Sequence, residues 1–324
     1  MKSIWIALTY IKGLGPKRIK KVYIEFPHLT FADFKGPNLE KIKKIIGNKK
    51  VSETLSDIEL IAQYTKKAEE TIRLHEKNDI SVVTIADNNY PELLKKIDDS
   101  PIVLYCKGDV DLLQQSKSIA VVGTRHPTAK GEGMARRIAK IFSEKGYVIV
   151  SGLALGIDTE AHKGTLEVNG KTVAVLANGL DTITPKENKK LAEEIVQKGG
   201  LLISEYPIRT KTFRAAFVQR DRIQSGLSIA VCPVQTDIKG GTQHTIKFAR
   251  SQNRLLFCPT PLEQVPATRG IEALLKEDAL PIRNSHDIVI VENSISKRLQ
   301  ELTNSEEIPV KLEQTSVVQL DLFD

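Results

Sequence analysis

Four short segments of this chain carry residue types suited to holding an anion, and none of them brings together a nucleophile, a base and an acid. In the first, Gly123 lets the backbone approach closely, Thr124 adds a hydroxyl, and Arg125 supplies a guanidinium that can fork onto phosphate oxygens. The second is another small-residue turn, Ser151 and Gly152 with Gly156, followed by Asp158 where a helix cap is expected. Both turns end buried-type apolar runs, IAVVGTR at 119–125 and VIVSGLALGID at 148–158, and both lead into helix-like sequence. Their backbone N–H groups would then face an anion at a helix N-terminus. The third, KTFRAAFVQRDR at 211–222, sets Lys211, Arg214, Arg220 and Arg222 among Phe213 and Phe217. Such cations neutralise backbone phosphates, and an aromatic face stacks on a base whatever its identity. The fourth, Gly240, Gly241 and Thr242, opens a helix-like stretch carrying Lys247 and again offers N–H groups at a helix start.

Each segment also has a plainer reading. The first turn could be structural with a solvated arginine, and 211–222 could be an amphipathic helix whose phenylalanines are core. For Phe213 the core reading is preferred. Asp158 reads as a helix cap rather than a catalytic acid, and Asp221 would hold Arg222 in an ion pair. A dinucleotide fingerprint needs G-x-G-x-x-G, whereas Gly123, Gly131 and Gly133 are wrongly spaced. The Gly240 turn is similar to the PGGxGTxxE signature of nucleotide phosphoribohydrolases that resemble lysine decarboxylases. The proline is absent here and Thr242-Gln243-His244-Thr245 stands in place of the Gly-Thr-x-x-Glu, so that reading lacks its acid/base, with His244 as the only substitute.

The elements that must position these segments follow from the texture of the chain. Its 324 residues are 41% hydrophobic and allow one substantial core with a smaller accessory domain. Up to residue 79, apolar residues recur at helical spacing. Within that region IKGLGPKRIKKV at 11–22 suggests a helix-hairpin-helix (SAM-like) unit, with Gly13 and Gly15 in the turn, Pro16 at a helix start, and Lys17 and Arg18 next to it. This turn would offer amides and cations to a phosphate, or it is a connector with a solvated basic face. From residue 80 the apolar runs SVVTIA, IVLYCKG, IAVVGTR, YVIVSGLA, TVAVLANG, LLISEY, SIAVCPV and LLFCPT recur, most of them separated by helix-length segments. That pattern predicts an α/β fold, an extended Rossmann-like and mostly parallel sheet, with ligands at the carboxyl ends of its strands. The expected domains are a helical region at 1–79, the sheet domain at 80–292, and a short helix with an acidic tail at 293–324.

The net charge of +7 is unevenly placed: residues 1–79 carry sixteen Lys/Arg against ten Asp/Glu, and residues 301–324 one against six. A basic head and body with an acidic tail suits a polyanionic partner. No apolar run reaches the roughly 18 residues of a membrane span, and no signal peptide is read, so a cytoplasmic protein without a membrane partner is expected. The six histidines form no ligand pair, and Cys106, Cys232 and Cys258 lie in apolar runs as small buried hydrophobes. Neither a metal nor a cofactor is expected.

Taken in order, YPELLKKIDDSPIVLYCKGD, IAVVGTR, VIVSGLALGID, TVAVLANGLDTITPKEN, LLISEYP, FVQRDRIQSGLS and the Gly-Gly-Thr turn resemble the DNA-processing protein A (DprA, or Smf) family over residues 90–288, and the N-terminal hairpin fits as well. The resemblance implies a homodimeric, non-enzymatic protein that binds and protects incoming single-stranded DNA and loads a RecA-type recombinase during natural transformation. It also implies that Arg214, Phe217, Arg220 and Arg222 line the strand-binding groove. Three departures stand out. The family's Arg-Asn-Arg is Arg220-Asp221-Arg222 here, its Ser-Gly-Ser turn is Gly240-Gly241-Thr242, and the chain is too short for the winged helix that many members carry. The last residues hold a separate signal. Gln319, Leu320, Asp321, Leu322 and Phe323 look like the pentapeptide with which bacterial proteins dock on the replicative sliding clamp. A fold-back of this segment on its own domain is the alternative.

Overall fold

A computed structural model describes residues 2–304. Five helices fill the first 76 residues: α1 (Lys2–Thr9), α2 (Pro16–Glu25), α3 (Gly36–Ile46), α4 (Lys49–Ser56) and α5 (Ile58–Glu76). Their ends follow local chemistry. Pro16 opens α2, the Asn48 and Asp57 side chains accept from Val51 and Leu60 N–H to cap α4 and α5, and Gly47 closes α3 in the left-handed region.

The remaining chain alternates. It runs β1 (Ser81–Thr84), α6 (Glu92–Lys95), β2 (Val103–Gly108), β3 (Ser118–Val122), α7 (Ala129–Glu144), β4 (Val148–Ser151), α8 (Ile157–Glu167) and β5 (Thr172–Val175). Then come α9 (Lys189–Gln197), β6 (Leu201–Ser204), α10 (Arg214–Leu227), β7 (Ala230–Pro233), α11 (Thr242–Ser251), β8 (Leu255–Pro259), α12 (Arg269–Glu277), β9 (Leu280–Ile282) and α13 (Ser285–Asn304). The strands form one sheet in the order β1-β2-β6-β5-β4-β3-β7-β8-β9. The β1–β2 and β2–β6 pairs are antiparallel and the other six are parallel. Every residue of β3, β4, β5, β6 and β7 is buried, as sheets covered by helices on both faces require.

From β3 the chain winds outward through β4, β5 and β6, then crosses back to build β7, β8 and β9 on the other side of β3. The order therefore reverses between β3 and β7, and the crevice at their carboxyl ends is where such sheets hold ligands. All eight apolar runs read from the sequence are strands. The ninth, β9, is a three-residue segment, too short for a periodic signal.

The helical region ends at Glu76 and β1 begins at Ser81. The helical region shares one continuous core with the sheet, from Ile4 and Trp5 through Ile61 to Val82, Tyr105 and Ile203. The final helix begins at Ser285, before the expected break at 292, and buries Ile288, Val291 and Ile295 in the second core with Phe142 and Phe257. It thus completes the α/β layer. The three cysteines are buried thiols.

Candidate functional site

Three strand exits are tied together at the reversal point. Thr124 N–H donates to the Gln235 carbonyl at 2.8 Å, linking the turn after β3 to that after β7. Ile157 N–H donates to the Thr124 carbonyl at 3.2 Å, and Ser151 Oγ donates to the Val121 carbonyl at 2.7 Å, which brings in the turn after β4. Gly156, at φ 78°, sits so close to Pro127 and the Thr124–Arg125 backbone that a Cβ would collide with them. Glycine is required there by conformation and by space.

The sequence suggested turns with free amides facing an anion. Instead, several of those amides are bonded within the protein. Thr124 N–H is held by Gln235, Thr128 N–H by Gln235 Oε1 at 3.0 Å, and Gly152 N–H by Asp158 Oδ2 at 3.0 Å. Asp158 is the second residue of α8, with Gly156 at the cap position, so its carboxylate braces the preceding turn rather than capping the helix. Gln235, 4% exposed, also donates to Thr128 Oγ1 and thereby fixes the start of α7. Sequence reading missed it, although a buried-type amide directly after a strand at the reversal point is the signal that could have found it.

What the crevice presents outward is side chain. Arg125 is exposed and its guanidinium lies over the Phe217 ring, 5.1 Å from the centroid. This joins the first and third sequence segments in a cation–π pair. Lys211 and Arg214, at the start of α10, are exposed.

Arg220 and Arg222 are only two residues apart but about 200° apart around a helix of 3.6 residues per turn. Arg220 is 5% exposed and lies beneath Gly152, where a Cβ would run into its guanidinium. Its Nη1 is 3.7 Å from Asp158 Oδ2 and its Nε 3.5 Å from Asp221 Oδ1, and neither nitrogen has a hydrogen-bond partner. Two buried carboxylates thus share one loosely held cation. Burial outweighs that attraction and pushes the Asp221 carboxyl up to about 7, with Asp158 adding like charge against the pull of Arg220 and Arg125. Burial likewise raises Asp158 despite Arg220, and it pushes neighbouring His162 down to about 3.

Arg222, also 5% exposed, faces the other way, with Nη2 2.6 Å from Glu205 Oε2 and Nε 3.4 Å from Asp99 Oδ2. The expected Asp221–Arg222 pair is therefore replaced by Asp221–Arg220 and Glu205–Arg222, because Arg222 is drawn away to Glu205 and Asp99. Arg222 belongs to the interior packing and not to the crevice wall.

Phe213 was expected in the core. It is 45% exposed, because it is the cap residue of α10 and lies outside the face that α10 buries. Its ring stands edge-on to Tyr206, centroids 5.6 Å apart. The loop carrying Tyr206 is anchored to the helical region by Ile208 N–H donating to His75 Nε2 at 3.0 Å, while His75 Nδ1 lies 2.7 Å from the Thr71 carbonyl. Nothing in the sequence marks His75 for this role.

Gly240, with φ 148°, and Gly241 are exposed and open, with no atom within 4 Å of a would-be Cβ, and α11 starts at Thr242. The loop leading to them is pinned by Arg269, 2.6 Å from Asp237 Oδ2, and Lys247 is exposed one turn into α11. In the N-terminal hairpin, Gly13, Gly15, Lys17 and Arg18 are exposed, and Arg18 donates to the Gly13 carbonyl across the turn. Lys20 donates to the Ile97 carbonyl at 2.7 Å, so this hairpin is held against the 92–100 segment rather than at the strand exits. Residues 319–323 lie outside the described residues.

The chain as a whole is similar to known proteins. A family model described as DNA recombination-mediator protein A matches residues 81–293. Protein Smf of Synechocystis is 33% identical over 306 residues, covering 91% of this chain and 71% of the relative. The X-ray structure of DNA processing protein A from Streptococcus pneumoniae superposes with a TM-score of 0.73 at 28% identity, covering 89% of this chain and 97% of that one. DNA processing protein A from Helicobacter pylori, solved for its single-stranded DNA binding mode, has a TM-score of 0.59 at 31% identity, covering 68% and 96%.

Proposed function

The chain belongs to the DNA recombination-mediator protein A family, and on that premise we propose that it binds single-stranded DNA across the exits of β3, β4 and β7 without acting as a catalyst. The observation that carries this reading is Arg125 stacked over Phe217: a forked cation for a phosphate and an aromatic face for a base, held together on a rigid turn. Lys211 and Arg214 extend the positive face along the start of α10, and the open Gly240–Gly241 turn with Lys247 supplies a second bank. Ser151 and Gly152 form the floor above buried Arg220, whose charge Asp158 and Asp221 offset. The Helicobacter pylori relative's described single-stranded DNA binding supports the same use of this crevice.

In this reading the protein handles incoming DNA in the cytoplasm as a homodimer and passes the strand to a RecA-type recombinase. The N-terminal hairpin with Lys17 and Arg18 would give an auxiliary phosphate contact, and the 319–323 segment would dock on the sliding clamp. Loss of clamp association on deleting 319–324 tests the last point.

Binding measured with single-stranded and duplex oligonucleotides at two salt concentrations tests the main one. About four phosphate contacts, from Arg125, Lys211, Arg214 and Lys247, give a log–log salt slope of about −2.8 for a single strand, or roughly 50-fold weaker binding at 200 mM than at 50 mM salt. Arg125→Ala should weaken binding to all sequences alike and make the slope shallower by about 0.7. Salt-independent binding, or unchanged affinity in Arg125→Ala, would refute the assignment.

A further inference from the structure

We propose that Phe213 and Tyr206 form a second base-stacking platform, four residues before Phe217 in the chain, which extends the single-strand path beyond Arg125; this rests on the single-strand reading above. Phe213 leaves 45% of a large aromatic side chain in solvent, at the cap of α10 and between the exposed cations Lys211 and Arg214. An exposed aromatic flanked by positive charge suits a ligand that is anionic along its backbone and flat in its side groups.

The platform is also held in place before any ligand arrives. Tyr206 packs edge-on to Phe213 at an interplanar angle of 78°, and its hydroxyl donates to Gln219 Oε1 at 2.5 Å. The loop between the two rings is pinned at Ile208 by His75 and at Arg209, whose N–H donates to Asp181 Oδ1 at 2.9 Å. A ring fixed in this way loses little freedom on binding, so more of its stacking energy appears as affinity. The platform would read no sequence, because every base offers a π-face.

The test compares wild type, Phe213→Ala, Phe213→Trp and Arg125→Ala on a labelled oligothymidylate and on a strand of equal length carrying a run of abasic sites. Phe213→Ala should weaken oligothymidylate binding by roughly 5- to 100-fold, the range expected for one lost base stack. Phe213→Trp should restore it, and the abasic strand should bind wild type and Phe213→Ala equally. Thermal midpoints should match, since the ring is outside the core. Wild-type affinity in Phe213→Ala, or an equal loss on the abasic strand, overturns the platform. If Arg125→Ala weakens binding while Phe213→Ala does not, the platform alone falls. If wild type binds neither strand, the single-strand reading falls with it.

Discussion

Replacing Asp221 by asparagine should stabilise the folded chain above neutral pH and progressively less below it. Asp221 is 9% exposed, and burial raises its carboxyl from an ordinary 3.8 to about 7 because the Arg220 guanidinium it shares with Asp158 is loosely placed. Between those values the native state holds a proton that the unfolded chain has lost. The stabilising contribution of this group is therefore fully present below about pH 4, declines as pH rises, and is gone above about 7. Three pH units at 1.36 kcal/mol each amount to about 4 kcal/mol. Asparagine keeps the shape without the charge, so it escapes this penalty. Weakening the hold on Arg220, which still has Asp158, shifts the whole curve without giving it a slope. The advantage of the variant should thus grow by about 3 kcal/mol from pH 5 to pH 8, since some two units of titration remain in that range. Urea denaturation of both proteins at pH 5, 6, 7 and 8 measures it. Buried His162 titrates in the opposite sense but is present in both and cancels in the difference. A gap that stays constant over this range, or shrinks with rising pH, refutes the reasoning.

Other outcomes follow from the same geometry. His162 is fully buried and held neutral, its value depressed from 6.5 to about 3, so its contribution is complete above about 6.5 and lost as pH falls toward 3. His162→Asn, which can keep the contact to Thr172 Oγ1, should remove about 5 kcal/mol of acid sensitivity, visible as a flatter acid limb in stability against pH. Arg222→Met leaves Glu205 buried without its partner and should cost about 3–5 kcal/mol in denaturant titrations, while the single-strand affinity of the folded fraction stays at the wild-type value. A weakened affinity there would return Arg222 to the crevice. Gly152→Ala drives a Cβ into the Arg220 guanidinium and should destabilise by about 1–3 kcal/mol, measurable as a lowered thermal midpoint. An unchanged midpoint would mean that Arg220 is free to move away.

The architecture was legible in the chain because its causes are local. Apolar runs of strand length, punctuated by small-residue turns and helix-length spacers, require a helix-covered parallel sheet. The eight runs named from the sequence are eight of the nine strands, and Gly123, Gly152 and Gly156 do lie at strand exits where side chains would clash. Residue types likewise singled out Arg125 and Phe217, though nothing in their spacing, 92 positions apart, joins them.

Tertiary structure decided what each group faces. Only the crossing from β6 back to β7 places α10 beside the turn after β3 and sets Arg125 over Phe217. Only the helical phase separates Arg220, under Gly152 with Asp158 and Asp221, from Arg222, which is held by Glu205. Several turn amides after β3 and β4, inviting to an anion on paper, are satisfied by Gln235 and Asp158 from distant or folded-back positions, and Phe213 stands in solvent because it caps its helix. Sequence fixes which groups exist and what secondary structure carries them. Which of them meet, and which remain open to a ligand, depends on contacts between segments far apart in the chain, and those are settled when the whole core closes.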